Sequence, residues 1–435
     1  MRIAFFIDNQ YHLNVDYSKP ENGNPGIGGT HYMFWSVACY LKKLYPELEI
    51  YIIAPIISTM PLFIKAIQGN DEMSAVEIAK KNVCDFLVLR GPKSDTKLFQ
   101  TINEYKQKVI FWTHNFEDLR FADLVYRNKY VMRNVCVGKE QLDRLRDHPV
   151  FGKNCYIYNA LDCRLYFPYT YFGKKENIVS YMGALTPRKG FHALAMHWKD
   201  IKTRCPDAKL YILGGKDLYF KNESKDVKLS SYEKRCIRYL SNKDGTLIEG
   251  VTFWGVVSGE KKLKLLADTK VGVPNPTAVG ETFCIVAAEF EAVGTPVVTI
   301  NKNGFLDSVV NHETGLLFKT RKQFVHYVVE LLENDQLNMT FGLSGKQHVQ
   351  NNFTIEKICE QWYKLFREVE KNEIVQVTYK ADNWYNNLKW LREINRRIKK
   401  IPFLSWAPSL LWYEQIAHDI YVFIRDNVLR KGRQR

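Results

Sequence analysis

The sequence predicts an α/β fold built on parallel sheets. Two observations carry that prediction. One is the stretch from Asn275 to Ile300, NPTAVGETFCIVAAEFEAVGTPVVTI. Val271, Gly272 and Val273 end a strand, and the polar loop that follows is punctuated by Pro276 and Gly280. The apolar run from Phe283 to Ala292 makes a helix that Gly294 and Pro296 stop, and β-branched Val297 to Ile300 reads as the next strand. Strand, helix and strand in that order form a βαβ unit. The other observation is size. A chain of 435 residues with 46% hydrophobic content holds two domains of roughly 150–250 residues, each with its own core.

The first half opens with the strand from Ile3 to Ile7, which ends at Asp8. A loop rich in Gly and Pro (Pro20, Gly23, Pro25, Gly26, Gly28, Gly29) leads into a helix from His31 to Lys43. Its inner face carries Met33, Phe34, Val37, Ala38 and Leu41. Glycines at a strand-to-helix junction let backbone amides approach a phosphate, or they serve a flexible turn. A dinucleotide fingerprint would need glycine at His31, so hydride chemistry is not indicated. Further strands read from Glu49 to Ala54, Phe86 to Leu89 (closed by Gly91-Pro92), Val109 to Trp112 and Val135 to Gly138. Thr113, His114 and Asn115 stand at the carboxyl end of one of them, where ligands of such sheets bind. Asn159 suits a turn fixed by its own side chain.

The polar, aromatic segment from Tyr166 to Lys175 reads as an interdomain linker. Ile178 to Met182 starts the second domain and runs into Gly183-Ala184-Leu185-Thr186-Pro187-Arg188-Lys189-Gly190. Glycine after Lys189 excludes a P-loop. Leu210 to Leu213 is the next strand, with the tight turn Gly214-Gly215. Lys216 to Gly250 is a lysine-rich insertion around a helix from Ser231 to Leu240. Val251 to Gly255 is a strand with Val256-Val257 as its turn, and Glu260 to Ala267 is a helix. Phe324 to Leu332 and Ile355 to Val369 are amphipathic helices.

Two carboxylates stand out in the βαβ unit. Glu281 opens its helix, and Glu289 lies eight residues on among Val286, Ala287, Ala288 and Phe290. A buried carboxylate needs a partner. A sugar diol would supply one, and the helix-start amides of Thr282, Phe283, Cys284 and Ile285 suit a phosphate. Equally, Glu281 is read as an N-terminal helix charge and Glu289 as one half of an ion pair.

Here E-x7-E followed by A-x-G-x-P-V-V resembles the signature of retaining glycosyltransferase family 4, of the bacterial cell-surface glycan type. The resemblance implies the GT-B fold: two Rossmann-like domains facing across a cleft. Residues 1–168 would form the acceptor-side domain and 169–355 the nucleotide-sugar domain. Residues 356–379 would cross back onto the first domain, and 380–435 would form a basic, aromatic helical tail. Residues carry over one by one. Gly28 and Gly29 match the family's Gly-Gly loop, and His114, in WTHN, matches a histidine that meets the donor sugar. Lys189 matches the lysine that grips the donor diphosphate. The accompanying arginine is replaced by Ala184, and neighbouring Arg188 is positioned to supply a guanidinium. Gly214 and Val256 fall where the family holds the nucleobase and ribose, Glu281 where it holds sugar hydroxyls, and Glu289 where it holds the ribose. The segment from Tyr156 to Asp162 resembles the entry to the hinge, and Asp307 stands where the family has glutamate.

The activity so implied is transfer of a sugar from a nucleoside-diphosphate sugar to a glycan or lipid-linked acceptor, in cell-surface polysaccharide or lipopolysaccharide synthesis. No Asp-x-Asp occurs, so no metal and no other cofactor is expected. A sugar-nucleotide epimerase or hydrolase on the same fold, or a degenerate partner subunit, are the alternatives. A net charge of +15 favours anionic partners. No nucleic-acid motif is present. Nine scattered cysteines without C-x-x-C fit a reducing cytoplasm, and no apolar run is long enough to span a membrane. Beyond the resemblance lies the tail. Trp384, Leu388, Leu391, Ile394 and Ile398 form an apolar stripe beside Lys389, Arg392, Arg396, Arg397, Lys399 and Lys400. A second helix runs from Ser409 to Leu429, and Arg430 to Arg435 is basic. A basic amphipathic helix with tryptophan suits an anionic surface at the inner face of the cytoplasmic membrane, docking on the first domain, or an oligomer contact.

Overall fold

Seven strands of the first half assemble into one parallel sheet in the order β3-β2-β1-β4-β5-β6-β7. They are β1 Arg2–Phe6, β2 Glu49–Ala54, β3 Lys65–Gln68, β4 Phe86–Gly91, β5 Val109–Thr113, β6 Val131–Cys136 and β7 Asn154–Tyr156. The computed structural model describes residues 1–215, 229–373 and 381–425. A second parallel sheet, β10-β9-β8-β11-β12-β13, is built from β8 Ile178–Met182, β9 Lys209–Leu213, β10 Val251–Gly255, β11 Val271–Gly272, β12 Val297–Ile300 and β13 Gly315–Phe318. The central strands are apolar on both faces because helices cover both sides, as parallel sheets require. Val88, Ile110 and Phe111, for example, are fully buried.

In each sheet the strand order reverses beside the first strand, between β1 and β4 and between β8 and β11. Ligand crevices form at such switch points, outside the carboxyl ends of the strands. Both domains turn those ends toward one another, which is the GT-B arrangement.

The chain then returns to its first domain. Leu161 makes backbone hydrogen bonds on both sides of Thr354 across the crossing (Leu161 N to Phe353 O, 2.7 Å; Ile355 N to Leu161 O, 2.9 Å). The crossover helix Ile355–Glu370 lays Trp362 and Phe366 on Phe5 of β1, at ring separations of 6.3 and 6.4 Å. Its apolar face is thus absorbed by the first domain.

Several expectations are corrected. Strands β3 and β7 carry no sequence signal, being short edge strands with half-polar sequences such as KAIQ. Strand β6 starts at Val131 rather than Val135, since Asn134 pairs with Thr113 and Glu117 inside the sheet. The helix of the organising unit runs Ile285–Ala292, so Glu281 lies in the turn before it. The linker begins inside the fold: Tyr166 ends a short helix, Cys163–Tyr166, and is buried. A long helix, Asp335–Asn352, has only a weakly periodic sequence. The side chain of Asn159 fixes no turn; its Oδ1 is buried without a partner. Of the lysine-rich insertion, 216–228 lie outside the described residues, and the remainder holds the helix Ser231–Tyr239.

Of the tail, the helices Lys389–Ile398 and Leu410–Ile424 are described, and 374–380 and 426–435 lie outside the described residues. Both helices dock on the first domain, which is one of the readings that the sequence leaves open. Lys389 pairs with Glu140 and, at 3.3 Å, with Asp143, and Arg392 pairs with Asp147 at 3.3 Å and with Glu414. Asn395 Nδ2 and the Leu410 amide donate to Asp147 Oδ2 at 2.7 and 2.6 Å.

Candidate active site

Between the two sets of strand ends lies a cavity of about 620 Å³. It is lined from the second domain by Arg188, Lys189, Gly214, Val256, Glu281, Thr282, Phe283, Cys284, Ile285 and Glu289, and from the first by Gly28, Gly29 and His114. These are all thirteen of the candidate catalytic and donor-binding residues named from the sequence, gathered from segments more than two hundred residues apart. A larger cavity of about 830 Å³ is walled by Tyr158, Asp307, His348 and Lys364 among others, and none of the candidate donor-site residues lines it.

On the second-domain wall, the loop after β8 and the loop after β11 hold each other. Lys189 Nζ donates to Glu281 Oε2 at 3.1 Å, and Asn275 Nδ2 donates to the same oxygen at 2.9 Å. Arg188 lies flat on Gly280, whose φ is +66° and where a Cβ would sit 2.6 Å from the guanidinium. Glycine is therefore needed there both for the turn and for the approach. Ala184, at the place where the resemblance puts an arginine, is 1% exposed. Arg188 reaches instead across the cleft, donating to Asn115 Oδ1 of the first domain at 2.9 Å.

Glu289 is an ion-pair partner that also faces the cavity. Its Oε1 accepts from Lys262 Nζ at 2.8 Å and from Tyr166 Oη at 2.5 Å. Lys262 lines the cavity, as do Arg90 and Asn275, to which the sequence assigns no role, and Asn115, which it places only at a ligand-binding strand end. Lys262 is one of several lysines on a helix, and Arg90 and Asn275, although beside Gly91-Pro92 and between Pro274 and Pro276, are single polar residues that no motif marks.

The first-domain wall begins at Gly28, which caps the helix Gly29–Leu44. The glycine loop is ordered by Asn24, whose Oδ1 accepts from the amides of Gly26 and Ile27 at 2.9 Å each, a side-chain turn. A Cβ at Gly29 would meet no atom within 4 Å, so this glycine borders open space rather than packed protein. His114 lies beneath, buried against Trp112 at 4.8 Å between ring centroids. Burial holds its imidazole well below the usual range, with Arg90 and His31 adding to the effect. It is neutral near pH 7, and its Nε2 has no hydrogen-bond partner. A buried ring nitrogen of this kind is unsatisfied until a ligand supplies a group. The His114 carbonyl accepts from Thr282 Oγ1 at 2.7 Å, a second bond across the cleft.

The cavity carries four cationic side chains (Arg90, Arg188, Lys189, Lys262) against two carboxylates, Glu281 and Glu289. With the first-turn amides of the helix Ile285–Ala292 added, the balance suits an anion. Among the described residues no group of three or more His, Cys, Asp or Glu could hold a metal ion.

Two Rossmann-like domains with their strand ends meeting over one polar cavity define the GT-B class. Residues 170–348, most of the second domain, match the model of the family described as glycosyl transferases group 1. The chain is 26% identical over 191 residues to the capsular polysaccharide biosynthesis glycosyltransferase CapM of Staphylococcus aureus, covering 43% of this chain and 45% of that protein. It is 23% identical over 233 residues to spore coat protein SA of Bacillus subtilis, covering 50% and 58%. The matches thus span about half the length of these relatives. The crystal structure of Anabaena HepE in complex with UDP and glucose superposes with a TM-score of 0.60 at 16% identity, over 84% of this chain and 99% of that one, a likeness of fold.

Proposed function

We propose that the protein is a retaining, metal-independent glycosyltransferase that moves a sugar from a nucleoside-diphosphate sugar to a glycan or lipid-linked acceptor in cell-surface polysaccharide synthesis. The observation that carries the reading is the convergence of Arg188, Lys189, Glu281 and Glu289 with a helix start on one cavity, opposite Gly29 and His114. The similarity to CapM supports the capsule-type context, and the bound UDP and glucose of the HepE structure support the donor class. The reaction would proceed in the cytoplasm, at the inner face of the membrane.

Breaking the bond to the anomeric carbon builds negative charge on the departing diphosphate. Preorganised cations and amides oppose that charge most strongly where water is excluded. Lys189, Arg188 and the amides of Thr282 to Ile285 would do so, with Arg188 acting in place of the guanidinium that Ala184 lacks. Glu281, held by Asn275 and Lys189, would bind sugar hydroxyls. Glu289, anchored through Oε1, would offer Oε2 to the ribose diol, and neutral His114 would bond a donor hydroxyl through Nε2.

The test is a thermal-shift screen against UDP, GDP, ADP and CMP sugars, in chelator and with added Mg²⁺. One nucleobase should stabilise the fold with or without metal, by roughly 2.7 kcal/mol at a hundredfold excess over Kd. The shift should be lost in Glu289→Ala. Turnover of the donor without acceptor would mark an epimerase or hydrolase. A folded protein that binds none of them would mark a partner subunit, the reading that Ala184 favours.

A further inference from the structure

The tail is inverted with respect to water. On the helix Lys389–Ile398 the buried side chains are Lys389 and Arg392, 1% and 0% exposed, turned inward onto Glu140, Asp143 and Asp147. Trp390, Ile394 and Ile398, four residues apart and hence on one stripe, are 43%, 45% and 37% exposed. The loop that follows exposes Phe403 by 87% and Trp406 by 77%. The helix Leu410–Ile424 buries Leu410 and Leu411 and exposes Tyr413, Ile420, Tyr421 and Phe423 by more than half. Among the described residues, the exposed tryptophans, Trp384, Trp390, Trp406 and Trp412, all lie here.

Apolar surface this large and continuous marks a contact site. Its charge identifies the occupant. Lys400 is exposed beside the stripe, and Arg396 and Arg397 hold side-chain exposures of 38% and 76% while sharing Glu393. In a two-fold dimer the same patch meets itself, so these cations would face cations. A bilayer carrying anionic headgroups complements them, and amphipathic Trp and Tyr rings settle at the headgroup boundary. No helix among the described residues is long and apolar enough to cross a membrane, which leaves a contact in the plane of the interface.

We infer that residues 384–425 form a docking face for an anionic bilayer surface, with the tail helices lying in the interface and their buried cations fastening them to the first domain. Binding to vesicles reads this face alone and does not depend on sugar transfer.

The experiment is co-flotation of the full chain with vesicles of phosphatidylcholine alone or with phosphatidylglycerol added. Two variants accompany it, Phe403→Ala/Trp406→Ala and Arg397→Glu/Lys400→Glu. All four positions are exposed, so folding should survive, as circular dichroism will verify. The wild type should float with the anionic vesicles only, less so at high salt, and each variant should bind about tenfold more weakly or worse. No flotation by a folded wild type would overturn the inference, as would variants that bind as well as the wild type. A concentration-dependent dimer that Phe403→Ala/Trp406→Ala converts to monomer, with no vesicle binding, would also overturn it and assign the face to a second copy.

Discussion

Glu117 does not line the cavity, yet it supports the loop that does. Its Oε1 accepts from Gln141 Nε2 at 3.1 Å, and the same amide nitrogen donates to the carbonyls of Thr113 and Asn115. Burial pushes its carboxyl from 4.5 up to about 7. Between those values the folded state keeps a proton that the unfolded chain has released. This group therefore stabilises the fold at low pH, and its contribution is lost as the pH rises through about 7. Glu117→Gln should not share that loss. The difference in unfolding free energy between the two proteins should move in the variant's favour from pH 5 to pH 8, by an amount on the order of 3 kcal/mol in chemical denaturation; a difference independent of pH would refute the assignment. Arg188 acts at the cavity itself. Arg188→Ala should lower kcat by roughly 10²–10³-fold if it opposes leaving-group charge. Arg188→Lys should recover only part of this, because the shorter, compact ammonium cannot lie along Gly280 as the guanidinium does while still reaching Asn115. Steady-state kinetics with the donor found by the thermal screen would decide both.

At the scale of elements, the tail helix shows what sequence does and does not carry. Its apolar stripe was legible, and periodicity alone turns such a stripe inward. The structure turns it outward because Glu140, Asp143 and Asp147, some 240 residues earlier, offer carboxylates to Lys389 and Arg392. A local pattern cannot report a partner that distant. The site was legible for the opposite reason: its residues sit in strand-end loops whose glycines and prolines announce them. Lys262 and Tyr166, which hold Glu289, sit in helices and look like an ordinary surface charge and an ordinary aromatic. The ion pair of Lys389 makes its own prediction. Lys389→Met leaves Glu140 buried without its cation, Asp143 keeping Arg146, and should cost about 3–5 kcal/mol in chemical denaturation. Adding Glu140→Leu should restore part of that, and a loss under about 1 kcal/mol in the single variant would contradict the burial of the pair.

For the molecule as a whole, the cleft is drawn together by few polar contacts. Arg188 meets Asn115, Thr282 meets His114, and Asp307 accepts from the amides of Lys139 and Glu140 at 3.0 Å each and from Tyr158 Oη at 3.1 Å. Asp307 thus caps the first-domain helix Lys139–Asp143 from the second domain, and glutamate would be longer than that contact allows. A ligand that needs the closed cleft binds in proportion to the closed fraction. Asp307→Ala should therefore weaken donor binding several-fold in calorimetry, although the residue lines a different cavity, while the melting temperature moves little. Unchanged affinity would mean that closure does not rest on this cap.

The fastening of the tail also bears on how the chain is made. Glu140, Asp143 and Asp147 leave the ribosome with the first domain, but Lys389 and Arg392 follow only after the whole second domain has been synthesised. Until then three carboxylates must stay wet on a surface that the finished protein seals. The first domain is thus completed last as well as begun first, and a gene truncated before the tail would deliver a first domain with its side unclosed.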